Sequence, residues 1–197
     1  HVQPDPPQAF EPNRILKISP YFLERTIHQT LEAGFDIVSM DELAERIKAP
    51  AQSSRPFIAF TLDDAYRDNI EHAAPVFRRY GVPFCIYAPT DYIDGNGDLW
   101  WLTLEAANQK LDRIVLSVDG VLFDLPTAAQ QEKEHAFYEV YWRLRAIDET
   151  VARGVVASLA ETAGIDQKRI CRDLIMNWDE LKQLAEDPLV TIGAHTV

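Results

Sequence analysis

Only two cysteines, Cys85 and Cys171, stand in the 197 residues. That is too few for a disulfide framework or a cysteine-based zinc cluster, and it leans towards a reducing, cytoplasmic setting. Basic residues are also scarce: 19 Lys and Arg against 31 Asp and Glu leave a net charge of −12. Nucleic acids and anionic membranes are recognised through a basic footprint, so neither is expected as a partner. No apolar run approaches the ~20 residues that cross a bilayer. No segment has the make-up of a signal peptide, and the first residue, His1, is not an initiating Met. Repeats and low-complexity tracts are absent as well. What is present, 47% hydrophobic and 25% charged residues, is ordinary for a globular chain with enough length for one full-sized domain.

The most informative stretch is Ile58-Ala59-Phe60-Thr61-Leu62-Asp63-Asp64, a short apolar run that ends in two adjacent carboxylates. Adjacent acids repel, and burying either without a partner is costly. A cation at that point, or a need for a base, would account for the pair. A second run, Val190-Thr191-Ile192-Gly193-Ala194, ends in His195.

Around these runs the chain alternates helix and strand. Residues 1–14 read as a loop. Ser19-Pro20 opens a helix with a capping hydroxyl and a proline at its first position, and Gly34 closes it. A short strand over Phe35 to Val38 follows. Ser39-Met40-Asp41-Glu42 forms a capping box for a helix to about Lys48, which Pro50 stops. Ile58 to Leu62 is the next strand. The helix after it falls into two pieces at Pro75, with Val76, Phe77 and Tyr80 as its apolar face and Gly81 as its end. Pro83 to Ala88 is a buried-type strand. Such alternation predicts parallel strands covered by helices. The pattern then changes. Ile114 to Val118, Asp119-Gly120 and Val121 to Leu125 predict a β-hairpin, and residues 128–163 are helical and charged. Asn177-Trp178-Asp179-Glu180 caps a helix to about Glu186, and the strand Val190 to Ala194 resumes the parallel series. The expected organisation is therefore 1–97 as the first part of an α/β domain, 98–175 as an insertion of hairpin and helices, and 176–197 as its continuation.

In parallel α/β folds active sites form at the carboxyl ends of the strands, where Asp63, Asp64 and His195 are expected. An Asp and a His suit zinc or a similar divalent ion, which acts as a Lewis acid and lowers the pKa of water, and a second Asp suits a general base. Which aspartate takes which role stays open on the residues alone. The pair also fits an acidic receiver pocket or an ordinary capped turn. An aspartyl phosphatase wants Asp-x-Asp, which Asp63-Asp64-Ala65 lacks.

Thr61-Leu62-Asp63-Asp64-Ala65-Tyr66-Arg67-Asp68-Asn69 resembles the first motif of the polysaccharide deacetylases, carbohydrate esterase family four, which usually reads Thr-Phe-Asp-Asp-Gly. Ile192-Gly193-Ala194-His195-Thr196 resembles the start of the second motif, His-Ser/Thr-x-x-x-His. Phe10-Glu11-Pro12-Asn13, Val38-Ser39-Met40-Asp41-Glu42 and Tyr80-Gly81-Val82-Pro83 are also similar to bacterial members, so the resemblance covers most of residues 1–100 and 175–197. It implies a distorted (β/α) barrel that removes acetyl groups from acetylated glycans with a divalent metal, zinc foremost. It implies Asp63 as the catalytic base and Asp64 with His195 as metal ligands. Leu62 replaces the usual Phe, and Ala65 replaces a Gly, which matters if the backbone there needs a positive φ. The family's second metal histidine, expected four residues after His195, and its later motifs with a supporting arginine and an acid histidine lie outside the 197 residues. The sequence therefore reads as a fragment, expected to be inactive by itself.

Two other readings accompany this one: a carbohydrate-binding or scaffolding homologue without turnover, and an amidohydrolase acting on a small amide. His28, His72 and His135 read as surface or packing residues, and His1 as a candidate neighbour of the site. Trp100-Trp101 reads as packing of the insertion, with a sugar-flanking role as the sharper alternative. Tyr138, Tyr141 and Trp142 read as one apolar helix face.

Overall fold

The structure, a computed structural model, describes residues 1–4, 9–49 and 55–196. The chain divides into two compact units, one of His1–Asp5, Lys17–Asn96 and Leu174–Val197, the other of Pro6–Leu16 and Gly97–Asp173.

The first unit is a parallel α/β arrangement. Helix α1 (Pro20–Glu32) starts where the Ser19 hydroxyl accepts from the Phe22 amide, and Gly34 beyond its end takes φ 80°. Strand β1 (Asp36–Ile37) leads to α2 (Met40–Lys48), capped by the Ser39 hydroxyl accepting from the Glu42 amide. The reciprocal half of the expected capping box is replaced: Glu42 turns its carboxylate to Arg46, at 2.6 and 3.0 Å. Pro50, expected to stop this helix, lies outside the described residues.

The strand expected over Ile58 to Leu62 is in fact two. β2 (Phe57–Ile58) pairs in parallel with β1, and β3 (Phe60–Asp63) pairs in parallel with β4 (Phe84–Ala88). Ala59 hands the chain from one partner to the other, and the second strand runs on through Asp63. β4 is central, with β3 on one side and β7 (Val190–Ala194) on the other, all parallel. The break at Pro75 is also as expected in kind. A π-helical turn at Asn69–Ala73 leads into α3 (Ala74–Tyr80), which carries the proline in its first turn, where a missing N–H costs least.

Because strand side chains alternate between faces, the register sorts this sheet into two unlike surfaces. Phe60 pairs with Phe84, which pairs with Val190, and Leu62 with Ile86, which pairs with Ile192. Phe77 of α3 covers this apolar side, stacked on Phe84 at 4.3 Å and edge-on to Phe60 at 5.5 Å. The other face carries Thr61, Cys85 and Thr191, then Asp63, Tyr87 and Gly193. Between β4 and β7 run α4 (Thr90–Ile93), the second unit, and α9 (Trp178–Ala185), whose Asn177–Glu180 capping box is complete.

The second unit holds α5 (Trp100–Lys110), the antiparallel hairpin β5 (Arg113–Val118) and β6 (Val121–Pro126), α6 (Gln130–Leu144), α7 (Glu149–Ala163) and most of α8 (Gln167–Leu174). The hairpin turns at Asp119 (φ 50°) and Gly120 (φ 75°), the left-handed pair that a two-residue turn demands. Its core is built from Leu104, Ile114, Val118, Phe137, Val140, Leu144 and Val156, among others. The described part of residues 1–14, expected as a loop, has fixed partners: Val2 bridges Ile18, Phe10 enters the core of the second unit, and Pro12–Leu16 form a 3-10 helix, while residues 5–8 lie outside the described set. The single apolar face expected of Tyr138, Tyr141 and Trp142 is also corrected. Tyr141 packs on the core with Phe137, whereas Tyr138 and Trp142, four apart on the next stripe of α6, are exposed.

Candidate functional site

Asp63 ends β3, beside Tyr87 of β4, which in turn lies beside Gly193 of β7. The side chain of Asp63 is exposed and that of Asp64 is half-buried. His195 follows β7 directly, and its amide donates to the Ala88 carbonyl at 3.2 Å. The three residues singled out in the sequence thus stand at the carboxyl ends of β3 and β7, the two strands that flank β4 in one parallel sheet.

The electrostatics of the pair are unequal. Burial pushes the Asp64 carboxyl above its usual range, His195 acts against that, and the Asp63 charge adds to it. A half-buried carboxylate raised in this way gains most from a nearby positive charge. His195 supplies a suitable companion donor. Its Nδ1 lies 2.8 Å from the Thr196 carbonyl oxygen, an acceptor only, so the ring proton belongs on Nδ1 and the lone pair on Nε2. A carboxylate and an imidazole lone pair fit zinc or a similar divalent ion. Among the described residues no third His, Cys, Asp or Glu joins them in a group that could hold a metal.

The turn that presents the pair is strained. Asp64 has φ 67° and Ala65 has φ 52°, a region that favours glycine. The conformation persists because its surroundings over-determine it. The Ala65 carbonyl accepts from the Met176 amide at 3.0 Å, the Arg67 amide donates to the Leu174 carbonyl at 2.7 Å, and Tyr66 bridges Ile175. The Arg67 guanidinium then grips Glu180 at both carboxylate oxygens, 2.9 and 3.1 Å away, and reaches the Ile175 carbonyl at 2.9 Å. That bidentate contact holds the Glu180 carboxyl below its usual range.

Alanine at position 65 is thus a departure with a measurable consequence. Left-handed backbone costs a non-glycine residue about 1–2 kcal/mol. Glycine would remove that but give up about 0.4–1 kcal/mol of unfolded-state advantage and about 0.8 kcal/mol for the buried methyl, since Ala65 is 0% exposed. The terms nearly cancel, so Ala65→Gly is expected to change unfolding stability by less than about 1 kcal/mol in urea titrations. A loss above about 2 kcal/mol would show that the methyl group does more than fill its place.

Two features of the site were not anticipated in the sequence. Gly193 permits a close approach: a Cβ there would sit 2.5 Å from Cε1 of the ring of Tyr87, the residue paired with Asp63. A glycine inside a strand pattern signals such an approach, although it does not name the partner. The second is Asp68, 8% exposed, whose Oδ2 lies 2.8 Å from Nδ1 of His1. Nothing in the sequence marks Asp68 apart from its place four residues after Asp64. Elsewhere, His28 and His135 are exposed and His72 is half-buried. Trp100 is buried in the second unit, stacked on Tyr141 at 5.3 Å, with Trp101 packed against the same core.

No family model matches the chain, and no curated protein matches it. One solved structure that is similar is a de-N-acetylase from Aggregatibacter actinomycetemcomitans, 14% identical, with a TM-score of 0.47 and coverage of 98% of this chain. The chain spans about half, 49%, of the length of that protein.

Proposed function

We propose that this chain carries the active-site strands of a metal-dependent hydrolase, of the polysaccharide deacetylase type, that removes acetyl groups from N-acetylated carbohydrate on a distorted (β/α) barrel. The observation that supports this most is the convergence of Asp63, Asp64 and His195 at the carboxyl ends of β3 and β7, on a strained turn that neighbouring backbone holds in place. Asp64 and Nε2 of His195 would hold the divalent ion, zinc foremost. The ion, when bound, supplies Lewis-acid polarisation of the acetyl carbonyl. Asp63, exposed at the strand end, takes a proton from the attacking water. The acidic surface suits a neutral glycan and a cation rather than a polyanion.

The test is acetate release by the full natural protein from N-acetylated chito-oligosaccharides. Turnover is expected, with loss on treatment with a chelator and recovery on adding back zinc. Turnover unaffected by exhaustive chelation would remove the metal from this reading. Glycan binding without any acetate release would favour the scaffolding alternative.

A further inference from the structure

We propose that Arg67 is a positioning residue for the cation site, acting through the strained turn that carries Asp64; the assignment rests on the metal-dependent reading given above. Two consecutive non-glycine residues, Asp64 at φ 67° and Ala65 at φ 52°, occupy left-handed backbone. Without support such a turn relaxes towards negative φ, and the Asp64 carboxylate would move with it. The place of the proposed ligand therefore depends on groups outside the turn.

Those groups lie far along the chain, 108 positions from Arg67 to Ile175. Residues 174–176 run against the turn as a short antiparallel bridge. The Met176 amide donates to the Ala65 carbonyl, the Arg67 amide donates to the Leu174 carbonyl, and Tyr66 pairs with Ile175 between them. Ala65, Tyr66, Ile175 and Met176 are all buried, so little water competes for this contact.

The Arg67 side chain ties the same segments a second time. Its guanidinium donates to the Ile175 carbonyl at 2.9 Å and to the two oxygens of Glu180 at 2.9 and 3.1 Å. Glu180 is fixed in turn. Its Oε2 accepts from the Asn177 amide, and its own amide donates to Oδ1 of Asn177, both at 2.9 Å. One planar fork thus joins the turn, the 174–176 segment and the first turn of α9, the helix that leads into β7 and His195. The two side chains are 27% and 31% exposed, so the contact is mostly shielded. Lysine would keep the charge but lose the fork that meets all three oxygens together. No proton or bond changes hands here. Arg67 acts by fixing the place of Asp64, as groups behind metal ligands do.

The test is the zinc affinity of the full natural protein, measured by competition with a chromophoric chelator, alongside the unfolding midpoint of each variant. Arg67→Lys is expected to weaken zinc binding by about 10–100-fold. Glu180→Gln keeps an acceptor for the Asn177 amide but not the carboxylate, and should weaken binding in the same sense. The deciding variant adds Ala65→Gly to Arg67→Lys. Glycine adopts left-handed backbone without strain, so the turn needs less support. Affinity should then return to within about threefold of the parent, a non-additive result. A role in stability alone predicts the opposite: the loss of affinity would follow the unfolding midpoint, and glycine would not reverse it. Zinc affinity in Arg67→Lys within about threefold of the parent would overturn the proposal. So would a double variant that binds zinc no tighter than Arg67→Lys. An unaltered protein that binds no zinc would overturn the metal reading itself and this assignment with it.

Discussion

On the proposed reading, Asp63→Asn should lower acetate release by about 10²–10⁴-fold, the usual worth of a general base, while leaving the unfolding midpoint nearly unchanged. Asparagine keeps the shape of the side chain and removes its ability to accept a proton. The residue is exposed at the end of β3, so neither packing nor a buried ion pair depends on it. In the proposed site this separates it from Asp64, whose half-buried carboxyl feels the charge of His195 and would hold the cation. Initial rates on a chito-oligosaccharide, with denaturant titrations of the same preparations, check both halves. Activity within threefold of the parent would show that Asp63 is not the base.

Phe77→Ala should cost about 3–5 kcal/mol, a large share of the 5–15 kcal/mol that stabilises a typical domain. Phe77 is 0% exposed and sits where the two phenylalanines of adjacent strands meet, stacked on Phe84 and edge-on to Phe60. Its loss would leave the apolar face of the sheet open at the position that fastens α3 to β3 and β4. The strand end bearing Asp63 and Asp64 is held from that face, so activity should fall along with stability. Phe22, 57% exposed on α1, is the control; Phe22→Ala should stay within about 0.5 kcal/mol. Urea unfolding followed by circular dichroism measures both. A cost below about 1.5 kcal/mol for Phe77→Ala would mean that the neighbours collapse into the space.

The elements that were legible in the sequence are those set by local chemistry. Ser19 with Pro20, Asn177 with Glu180, Asp119-Gly120, and Pro75 each act on backbone within a few residues, and each does so in the structure. The break at Ala59 was not legible, because Ile58 to Leu62 reads as one apolar run and only pairing with β1 and then β4 divides it. The order in the first residues was hidden for the same reason, since Val2 and Phe10 are placed by partners far along the chain.

The site shows the same division. The amino-acid sequence by itself determined that two carboxylates and an imidazole follow strand-like runs in a parallel α/β pattern, because hydrophobic periodicity and capping are local and short in range. Only the tertiary structure decided that β4 lies between β3 and β7, and so brings Asp63 and His195 to one edge. It also decided that Ala65 adopts a glycine's conformation under the hold of residues 174–176, that Tyr87 covers Gly193, and that Asp68 closes on His1 across 67 positions of sequence. Each of these is a contact between segments distant in the chain, and its energy exists only when the segments meet.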